Sequence, residues 1–519
     1  MAARDDATLL TARWVVGHEN GRHCLYENGE VVFQGDRIVY VGPRYPGPVA
    51  RRHDYGRALI GPGFVDLDAL SDLDTTILGF DNSPAWRKGR IWPDTYMQRG
   101  PYEMYTPDEL AFQKRYAFAQ LIRNGITTAL PIASLFYRVW GETRDEFLSA
   151  ARTAGELGLR VYLGPAYRSG HTYVDGEGRI RCHYDAARGM AGLEQAMAFA
   201  DEVEGLYDGR VRAMLSPDRI ETCTPELLRA SAAAARERAI PIRLHCCQSR
   251  LEYDLVLAQH GMSPPEWLRS LGFLSERALL PHGTYVSGSR QIERPGQDLE
   301  IIRDGGATVV HCPLVSARHG AALESFARYR KLGVKIGMGT DTWPPDMVLN
   351  MQVGMMLCRV MDQSAEAVRS EDYYDAATVG PPHALARPPP GRLAARAHAH
   401  IAVFDFPPHP PGPPTPPTQP PLVLADAPDP YPAVTHSPTT PGPHHPHHPP
   451  APPPRPHQPP PPPPPPHPPT PRPPTPPPAP PPTTHPHPPH HSHLSTYRTP
   501  TEQQPPTAAS HTNTASPTT

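Results

Sequence analysis

Three histidines close successive apolar segments in the second half of the chain, and an aspartate follows the next one. These residues are His245, His282, His311 and Asp341. Imidazole nitrogens together with a carboxylate oxygen suit zinc or a similar divalent ion. A metal with an open position lowers the pKa of its water, and a carboxylate can carry that water's proton to a leaving nitrogen. His245, His282 and Asp341 therefore predict hydrolysis of an amide, amidine or aminated heterocycle, with Asp341 as the general base.

A run of acids follows an earlier apolar segment. Asp66, Asp68, Asp72 and Asp74 fall within nine residues. Such a run is either a solvated loop that caps a helix or a source of carboxylate metal ligands. Composition alone favours the loop, and the metal interpretation makes Asp68 the candidate ligand.

Further polar and aromatic side chains come directly after other apolar segments and are candidate substrate contacts. They are Tyr167, Arg168, His171, Asp218, Glu221, Gln248 and Trp343. Each has an ordinary structural alternative. Tyr167 and Trp343 would pack in the interior, Arg168 would form a salt bridge, and Asp218 and Glu221 would form an ion pair in the loop with Arg219. The adjacent Cys246 and Cys247 lack zinc spacing and are predicted to pack.

Apolar segments alternate with helical patterns over the middle of the chain, which predicts an α/β fold. The predicted strands are Leu59–Leu67, Thr127–Ile132, Arg160–Ala166, Val211–Leu215, Ile242–Cys246, Leu279–His282, Thr308–Cys312 and Val334–Gly339. The predicted helices include Pro107–Asn124, Asp145–Leu157, Leu193–Val203, Pro225–Arg238, Pro265–Leu271 and Ala321–Leu332. Eight such units fit a (β/α)8 TIM barrel, in which chemistry collects at the C-terminal ends of the strands.

The flanking regions differ from this middle part. Leu9–Val16, Glu30–Phe33 and Arg37–Val41 predict strands of a small N-terminal β-domain, with a hairpin turn at Gly35 and Asp36. The predicted divisions are 1–59 for this domain, 60–380 for the barrel, 381–430 for a segment returning to the β-domain, and 431–519 for a tail. The tail is rich in Pro, His and Thr and is predicted to be disordered, because it lacks the apolar side chains that offset chain entropy.

Composition narrows the class of partner. The net charge of −3 does not favour nucleic acid or an anionic membrane, and no apolar run is long enough for a membrane span. The seven cysteines are scattered and the first six residues are polar, so we expect a reducing, cytoplasmic compartment without a signal peptide. A small-molecule substrate is expected, and homo-oligomerisation stays open. An interaction role for the Pro-rich tail is a further alternative.

Several short motifs, in this order, resemble the amidohydrolase superfamily, specifically its cytosine-deaminase-like and chlorohydrolase-like branch. The resemblance covers roughly residues 8–405 and rests on Gly35–Gly42, Gly61–Asp66, Asn124–Thr128, Thr222–Leu228, His311–Pro313 and Gly339–Asp341. It implies a barrel with a small β-sandwich domain completed by the C-terminal segment. It also implies that His245 and Asp341 bind a divalent metal, that His282 binds metal or orients water and substrate, and that Asp341 shuttles the proton.

The sequence departs from the family pattern at several positions. Asp68 and Leu70 stand where the family has a His-x-His pair, and Gln248 stands where related deaminases carry a glutamate that relays protons. Asp218 replaces the histidine of a Pro-His pair, and Arg396 replaces a glycine of the returning strand. Leucine cannot ligate, but Asp68 can, and a carboxylate there would shift the preferred metal from zinc towards manganese or magnesium. A catalytically impaired pseudoenzyme or small-molecule-binding protein is the alternative function.

Overall fold

The computed structural model describes residues 7–72, 92–93, 105–133, 141–380, 384–385, 391–405 and 434–436. The chain divides into two compact units, Met1–His447 and His448–Thr519, and every described residue lies in the first. The predicted tail therefore lies outside the described residues, apart from a short strand at Val434–His436. None of the helices in the described ranges is long and apolar enough to cross a membrane.

The strands are numbered here in chain order. They are β1 Thr8–Glu19, β2 Arg22–Gln34, β3 Arg37–Gly42, β4 Arg51–Asp54, β5 Ala58–Pro62, β6 Phe64–Leu70, β7 Trp92–Pro93, β8 Ile126–Ile132, β9 Arg160–Leu163, β10 Ala166–Tyr167, β11 Gly170–Val174, β12 Ile180–Tyr184, β13 Val211–Ala213, β14 Ser216–Pro217, β15 Ile242–Arg243, β16 Ala278–Pro281, β17 Thr308–His311, β18 Lys335–Met338, β19 Ile401–Asp405 and β20 Val434–His436. A strand lies within or overlaps each of the eight segments predicted for the middle of the chain.

The N-terminal strands form one sheet in the order β20-β19-β5-β1-β2-β3, with β4 also paired to β1. Gly35 and Asp36 form the turn between β2 and β3, as predicted. Between β1 and β2, Asn20 and Gly21 both have positive φ, which matches the right-handed twist of a tight hairpin. Strand β19 pairs antiparallel with β5, so a C-terminal segment lies in the N-terminal sheet.

The middle of the chain forms two four-stranded parallel sheets. Their orders are β13-β9-β8-β6 and β15-β16-β17-β18. The strands are nearly continuous apolar runs because both faces of a parallel sheet are covered, and every residue of β6, β16 and β17 is buried. The four predicted metal ligands, Asp68, His245, His282 and Asp341, lie in or shortly after strands of these two sheets.

Hydrogen bonds join the outer strands of the two parallel sheets on both sides. On one side, Arg243 N donates to Leu215 O at 2.9 Å, and Leu215 N donates to Pro241 O at 2.9 Å. On the other side, Asp341 N donates to Asp68 O at 2.8 Å. The C-terminal ends of β6 and β18 are therefore directly bonded.

The helices are numbered in the same way. They are α1 Pro107–Arg123, α2 Arg144–Leu157, α3 Ala186–Val203, α4 Pro225–Arg238, α5 Arg250–His260, α6 Pro264–Ser270, α7 Asp298–Asp304, α8 Pro313–Arg318, α9 Phe326–Lys331, α10 Met347–Asp362 and α11 Ser370–Ala377. Two short turns, Leu206–Gly209 and Ile220–Thr222, lie between them. Most of these helices begin directly after a residue whose side chain caps the N-terminus. Thr106, Thr224 and Ser325 are examples, and each accepts a hydrogen bond from a main-chain N–H of the first helical turn.

Several predicted boundaries differ from the structure. The predicted strand Leu59–Leu67 is divided into β5 and β6, which lie in different sheets. The helix predicted to begin at Leu193 begins at Ala186, because Asp185 caps it. The helix predicted from Ala321 begins only at Phe326, after its cap Ser325. The predicted strand Arg160–Ala166 is divided into β9 and β10 around Gly164 and Pro165, since proline lacks the N–H that a central strand requires. The hairpin β11–β12, which carries His171, was not predicted.

Candidate metal centre

The four predicted ligands Asp68, His245, His282 and Asp341 come together at the C-terminal ends of the parallel strands. Ligand atoms of Asp68, His245 and His282 all lie within 4.8 Å of one another. Asp68 Oδ2 is 3.7 Å from His245 Nε2, and His282 Nε2 is 3.8 Å from Asp341 Oδ2. Two bonds of about 2 Å in tetrahedral geometry place their ligand atoms roughly 3.4 Å apart. The Asp68–His245 pair and the His282–Asp341 pair are thus each within a few tenths of an ångström of the spacing that two ligands of one ion require.

His245 is fixed in the form that can ligate. Its Nδ1 lies 2.6 Å from the main-chain carbonyl of Asp218. A carbonyl oxygen only accepts, so Nδ1 carries the proton and Nε2 presents its lone pair towards Asp68. Burial, and after it the positive charge of Arg219, lowers the pKa of His245 to about 3. The ring is therefore neutral at physiological pH.

Backbone strain collects around the same group. His282 has a φ of 79°, Asp341 a φ of 44° and Cys247 a φ of 60°. A positive φ costs a non-glycine residue energy and persists only where the surrounding structure imposes it. Here hydrogen bonds impose it: His282 N donates to Val310 O at 2.8 Å, and Asp341 N donates to Asp68 O at 2.8 Å. Strain of this kind clusters at functional sites.

The acidic run after β5 is buried where it is described. Asp66 and Asp68 are completely buried and Asp72 nearly so, so the solvated-loop interpretation is wrong for these three; Asp74 lies outside the described residues. Asp66 is structural, because its carboxylate accepts from Thr340 N at 3.0 Å and from Thr340 Oγ1 at 2.6 Å. Burial raises the pKa of the Asp66 carboxyl to about 6.

Asp68 has a charged neighbour that the sequence analysis did not identify. Arg243 Nη1 lies 3.1 Å from Asp68 Oδ1, and this guanidinium is only 1% exposed. Burial raises the pKa of the Asp68 carboxyl, and Arg243 opposes that shift. A signal was present in the sequence: Arg243 and His245 are two residues apart in one strand segment and so face the same side.

Cys312 is a second residue that the sequence analysis did not identify. With His282 and Asp341 it forms another group of ligand atoms within 4.8 Å of one another, and its Sγ is 3.8 Å from Asp68 Oδ2. Its neighbour His311 faces the other way, since side chains alternate along a strand. The His311 ring packs 5.9 Å from Phe326, and burial lowers its pKa to about 3. His311, which the sequence analysis did not include among the predicted metal ligands, is therefore a packing residue.

The predicted substrate contacts on and after β14 form a charged network. Arg168 Nη1 lies 2.8 Å from Asp218 Oδ2 in a buried ion pair, as the structural alternative for Arg168 proposed. Arg219 donates to the side-chain oxygen of Gln248. Glu221 Oε2 is buried and makes no hydrogen bond among the described residues, and burial raises the pKa of this carboxyl.

The turn after His245 is held by Glu252. Its carboxylate accepts from the main-chain N–H of Cys247 and, at 2.8 Å, from that of Gln248. Burial raises the pKa of Glu252. Cys246 and Cys247 are both buried, as predicted, although their sulfurs and Glu252 also lie within ligand distance of one another.

The remaining predicted contacts are placed differently from one another. The Tyr167 hydroxyl donates to Ser231 Oγ of α4 at 2.9 Å within the buried layer between strands and helices. The structure therefore does not bring Tyr167 to the candidate centre. Trp343 Nε1 donates to Asp72 O at 3.1 Å, and its ring packs with Leu70 beside the strand ends. His171 lies on β11, where burial, and after it Arg168, lowers its pKa to about 4.

The family model described as Amidohydrolase family matches residues 70–434. A 5-methylthioadenosine/S-adenosylhomocysteine deaminase of Natronomonas pharaonis is 27% identical over 386 residues, which are 73% of this chain and 78% of that protein. A protein of the same name from Halobacterium salinarum is 27% identical over 408 residues, covering 77% and 84%.

Solved structures share the fold. An adenosine deaminase from Xanthomonas campestris, solved with bound zinc, has a TM-score of 0.61 at 20% identity and covers 77% of this chain and 84% of its own. A triazine hydrolase from Arthrobacter aurescens has a TM-score of 0.62 at 19% identity, covering 77% and 87%. At these identities the likeness concerns the fold alone.

Proposed function

The chain belongs to the amidohydrolase family, and we propose that it is a metal-dependent hydrolase of a non-peptide carbon–nitrogen bond in a small molecule. One observation carries the proposal: ligand atoms of Asp68, His245 and His282 lie within 4.8 Å of one another at strand ends, and Asp341 Oδ2 lies 3.8 Å from His282 Nε2. The deaminase relatives support a substrate that loses an amino group. The class of substrate is to be identified by ammonia-release assays.

We also propose that the two parallel sheets close into one (β/α)8 barrel. The support is that hydrogen bonds join their outer strands on both sides, from Arg243 to Leu215 and from Asp341 to Asp68. In such a barrel the strand-end residues share one active-site mouth. The divisions 1–59, 60–380, 381–430 and 431–519 are proposed with it, the pairing of β19 with β5 supporting the return of the C-terminal segment to a small β-domain.

The residues present fit a divalent metal. His245 presents an unprotonated Nε2, because its Nδ1 proton is donated to Asp218 O. Asp68 and Asp341 add one carboxylate each, and His282 a second imidazole. Two nitrogens and two oxygens suit zinc, and manganese or magnesium are the alternatives for a set with this share of carboxylate. Cys312 Sγ lies within 4.8 Å of the ligand atoms of His282 and Asp341, so this thiol is close enough to replace one of the four ligands.

When bound, the metal would supply an acidified water and polarise the scissile bond. Asp341 is the proposed base: its side chain is 13% exposed, so it borders both the buried ligands and the space that substrate enters. It would take the water's proton and deliver it to the leaving nitrogen. His282, with its Nε2 3.8 Å from Asp341 Oδ2, would orient the reacting groups.

Gln248 would bind substrate without exchanging protons. Its side-chain oxygen accepts from Arg219, so its NH2 group is left to donate to the substrate. An amide cannot protonate a ring nitrogen, which favours amides, ureas and guanidines over aromatic amines as substrates. The other proposed substrate contacts are Arg168, His171, Asp218, Glu221 and Trp343; Tyr167 is reassigned to packing because its hydroxyl bonds to Ser231.

The experiment combines metal analysis with ammonia-release assays over amides, ureas, guanidines and aminated rings. We expect one divalent ion per chain and release from one of these classes, both lost in Asp341→Ala. Asp254→Ala, which removes an exposed helical carboxylate, is the matched control and should keep both. Metal-free purified protein without activity after zinc or manganese is added would contradict the proposal.

A binding protein without catalysis is the second candidate, and a specific observation favours it. Leu70 fills the space of a family ligand with a buried apolar side chain, and Arg243 already places a positive charge beside Asp68. Protein that carries no metal yet binds small molecules in calorimetry would support this candidate against the hydrolase.

We propose a reducing, cytoplasmic location. All seven cysteines are free: Cys24, Cys182, Cys223, Cys246, Cys247, Cys312 and Cys358. Five of them are buried, which is typical of packing residues rather than of a disulfide framework. Quantifying thiols in protein purified without reductant tests this proposal.

A further inference from the structure

We propose that Arg243 is a positioning residue that sets the metal preference of the site, by pairing with one oxygen of Asp68 and offsetting the negative charge of that carboxylate. This inference rests on the proposed function. The two oxygens of the Asp68 carboxylate face different partners. Oδ1 lies 3.1 Å from Arg243 Nη1, whereas Oδ2 lies 3.7 Å from His245 Nε2 and 3.8 Å from Cys312 Sγ.

Hydrogen bonds to main-chain carbonyls hold the Arg243 guanidinium in its place beside Asp68 Oδ1. Its Nη1 donates to Leu130 O at 2.6 Å, and its Nη2 to Pro131 O at 3.5 Å. The guanidinium thus reaches from β15 to the end of β8 and meets Asp68 on β6. Both charged side chains are buried, at 1% and 0% exposure. A buried pair of this kind is costly to break, because either partner alone is an uncompensated charge.

The pair changes both the geometry and the charge of the ligand set. With Oδ1 beside Arg243, Oδ2 is the oxygen of Asp68 that faces His245. Ligation through this one oxygen is compatible with the four ligands of tetrahedral zinc. Arg243 also cancels one of the two aspartate charges, so that the Asp68–Arg243 pair acts as a neutral ligand, like an imidazole. A less anionic ligand set favours zinc over manganese, because imidazole-like ligands suit zinc and carboxylates suit manganese.

The chain offers a matched control. Lys114 and Glu146 form another buried ion pair, with 2.6 Å between Nζ and Oε1 and exposures of 0% and 1%, on helices α1 and α2. Lys114→Met removes a buried cation in the same way but leaves no proposed ligand unpaired. It should therefore lower stability without changing the preference between metals.

The experiment measures zinc and manganese dissociation constants by calorimetry on metal-stripped full-length protein. We expect Arg243→Met to lower the ratio of the manganese constant to the zinc constant at least tenfold. Arg243→Lys keeps the positive charge but loses the two-nitrogen end of the guanidinium, and it should give an intermediate ratio. Asp68→His combined with Arg243→Met supplies a neutral ligand directly and should return the ratio to that of wild type. A ratio within threefold of wild type in Arg243→Met would overturn the inference.

A second comparison covers the case in which Arg243→Met does not fold, as judged by circular dichroism. Asp68→His alone leaves Arg243 unpaired beside the ion, so it should bind zinc at least tenfold more weakly than the double variant. Equal affinities would overturn the inference. Wild-type protein that binds neither metal would overturn the proposed function and this inference together, whereas metal-binding wild type with an unchanged ratio in the variants overturns only the inference.

Discussion

The main-chain N–H of Asp341 donates a hydrogen bond to the main-chain carbonyl of Asp68 at 2.8 Å. Thr340, one residue before Asp341, donates both its N–H and its hydroxyl to the carboxylate of Asp66, two residues before Asp68. Gly339 makes this approach possible, because a Cβ there would lie 2.8 Å from Asp68 Cβ. The two candidate carboxylate ligands are thus placed by backbone pairing between the ends of β6 and β18.

Thr340→Val tests this placement. Valine keeps the N–H bond to Asp66 but removes the hydroxyl at 2.6 Å from Oδ2. A buried acceptor that loses its donor costs about 1–3 kcal/mol, so the free energy of unfolding should fall by that amount in urea titrations. Zinc affinity should fall as well, because Asp341 is the next residue. Thr340→Ser retains the hydroxyl and should match wild type; equal stability of the valine variant would refute the prediction.

Gln248→Glu should widen the substrate range. A carboxyl group can pass a proton to a ring nitrogen and an amide cannot, and general acid catalysis typically contributes about 10²–10⁴-fold. We expect ammonia release from aminated aromatic rings to rise at least tenfold in steady-state assays. Arg219, which now donates to Gln248, would pair with the new carboxylate. Gln248→Ala is the control and should show no such gain; a glutamate variant no better than alanine contradicts the proposed role.

His311→Phe should change the pH dependence of stability. Burial lowers the pKa of His311 to about 3, against about 6.5 in the unfolded chain. Between these values the unfolded state binds a proton that the native state does not, so stability is complete above pH 6.5 and is lost as the pH falls. At pH 5 the penalty from this group is about 2 kcal/mol.

The measurement is urea unfolding of both proteins at pH 7.5 and pH 5. The difference in free energy between the phenylalanine variant and wild type should shift by about 2 kcal/mol in favour of the variant at the lower pH. The exposed His53 of β4, substituted in the same way, serves as the control. A difference that is the same at both pH values would show that His311 does not titrate as proposed.

Removing one partner of the buried Lys114–Glu146 pair should lower the free energy of unfolding more than replacing both partners. Lys114→Met leaves Glu146 buried without its cation, which typically costs about 3–5 kcal/mol; the double variant Lys114→Met/Glu146→Leu should cost less. The neighbouring Arg115–Glu156 pair, with side chains 58% and 55% exposed, is the comparison, and Arg115→Ala should cost at most about 1 kcal/mol. Chemical denaturation measures all three, and a double variant as unstable as the single one would contradict the prediction.

Arg396→Gly should stabilise the protein. Arg396 has a φ of 71°, a backbone conformation that costs an L-residue about 1–2 kcal/mol. Glycine adopts this conformation without strain, but its greater freedom in the unfolded chain lowers stability by about 0.5–1 kcal/mol. We therefore expect a gain of up to about 1 kcal/mol in the free energy of unfolding. Arg396→Ala keeps the Cβ and should show no gain. A glycine variant less stable than the alanine variant would exclude backbone strain as the cause.

Most strands and helices, and the candidate metal ligands, could be predicted from the amino-acid sequence alone. Strand segments were predictable because buried parallel strands are continuous apolar runs, and His245, His282 and Asp341 stood out because they follow such runs. Family motifs added their proposed roles. These are local signals, readable within a few residues, and the structure places His282 within ligand distance of both His245 and Asp341.

The set of side chains that share the site could not be predicted and is known from the packing of the strands. This packing brings Arg243 and Cys312 to Asp68, and it directs His311 and Tyr167 into packing instead. The physical reason is that a side chain at a strand end can point to either face of its sheet, and only one of these faces packs against the helices. A shift of one residue in register moves the side chain to the other face. That register is set by pairing between strands far apart in the chain, and no local pattern reports it.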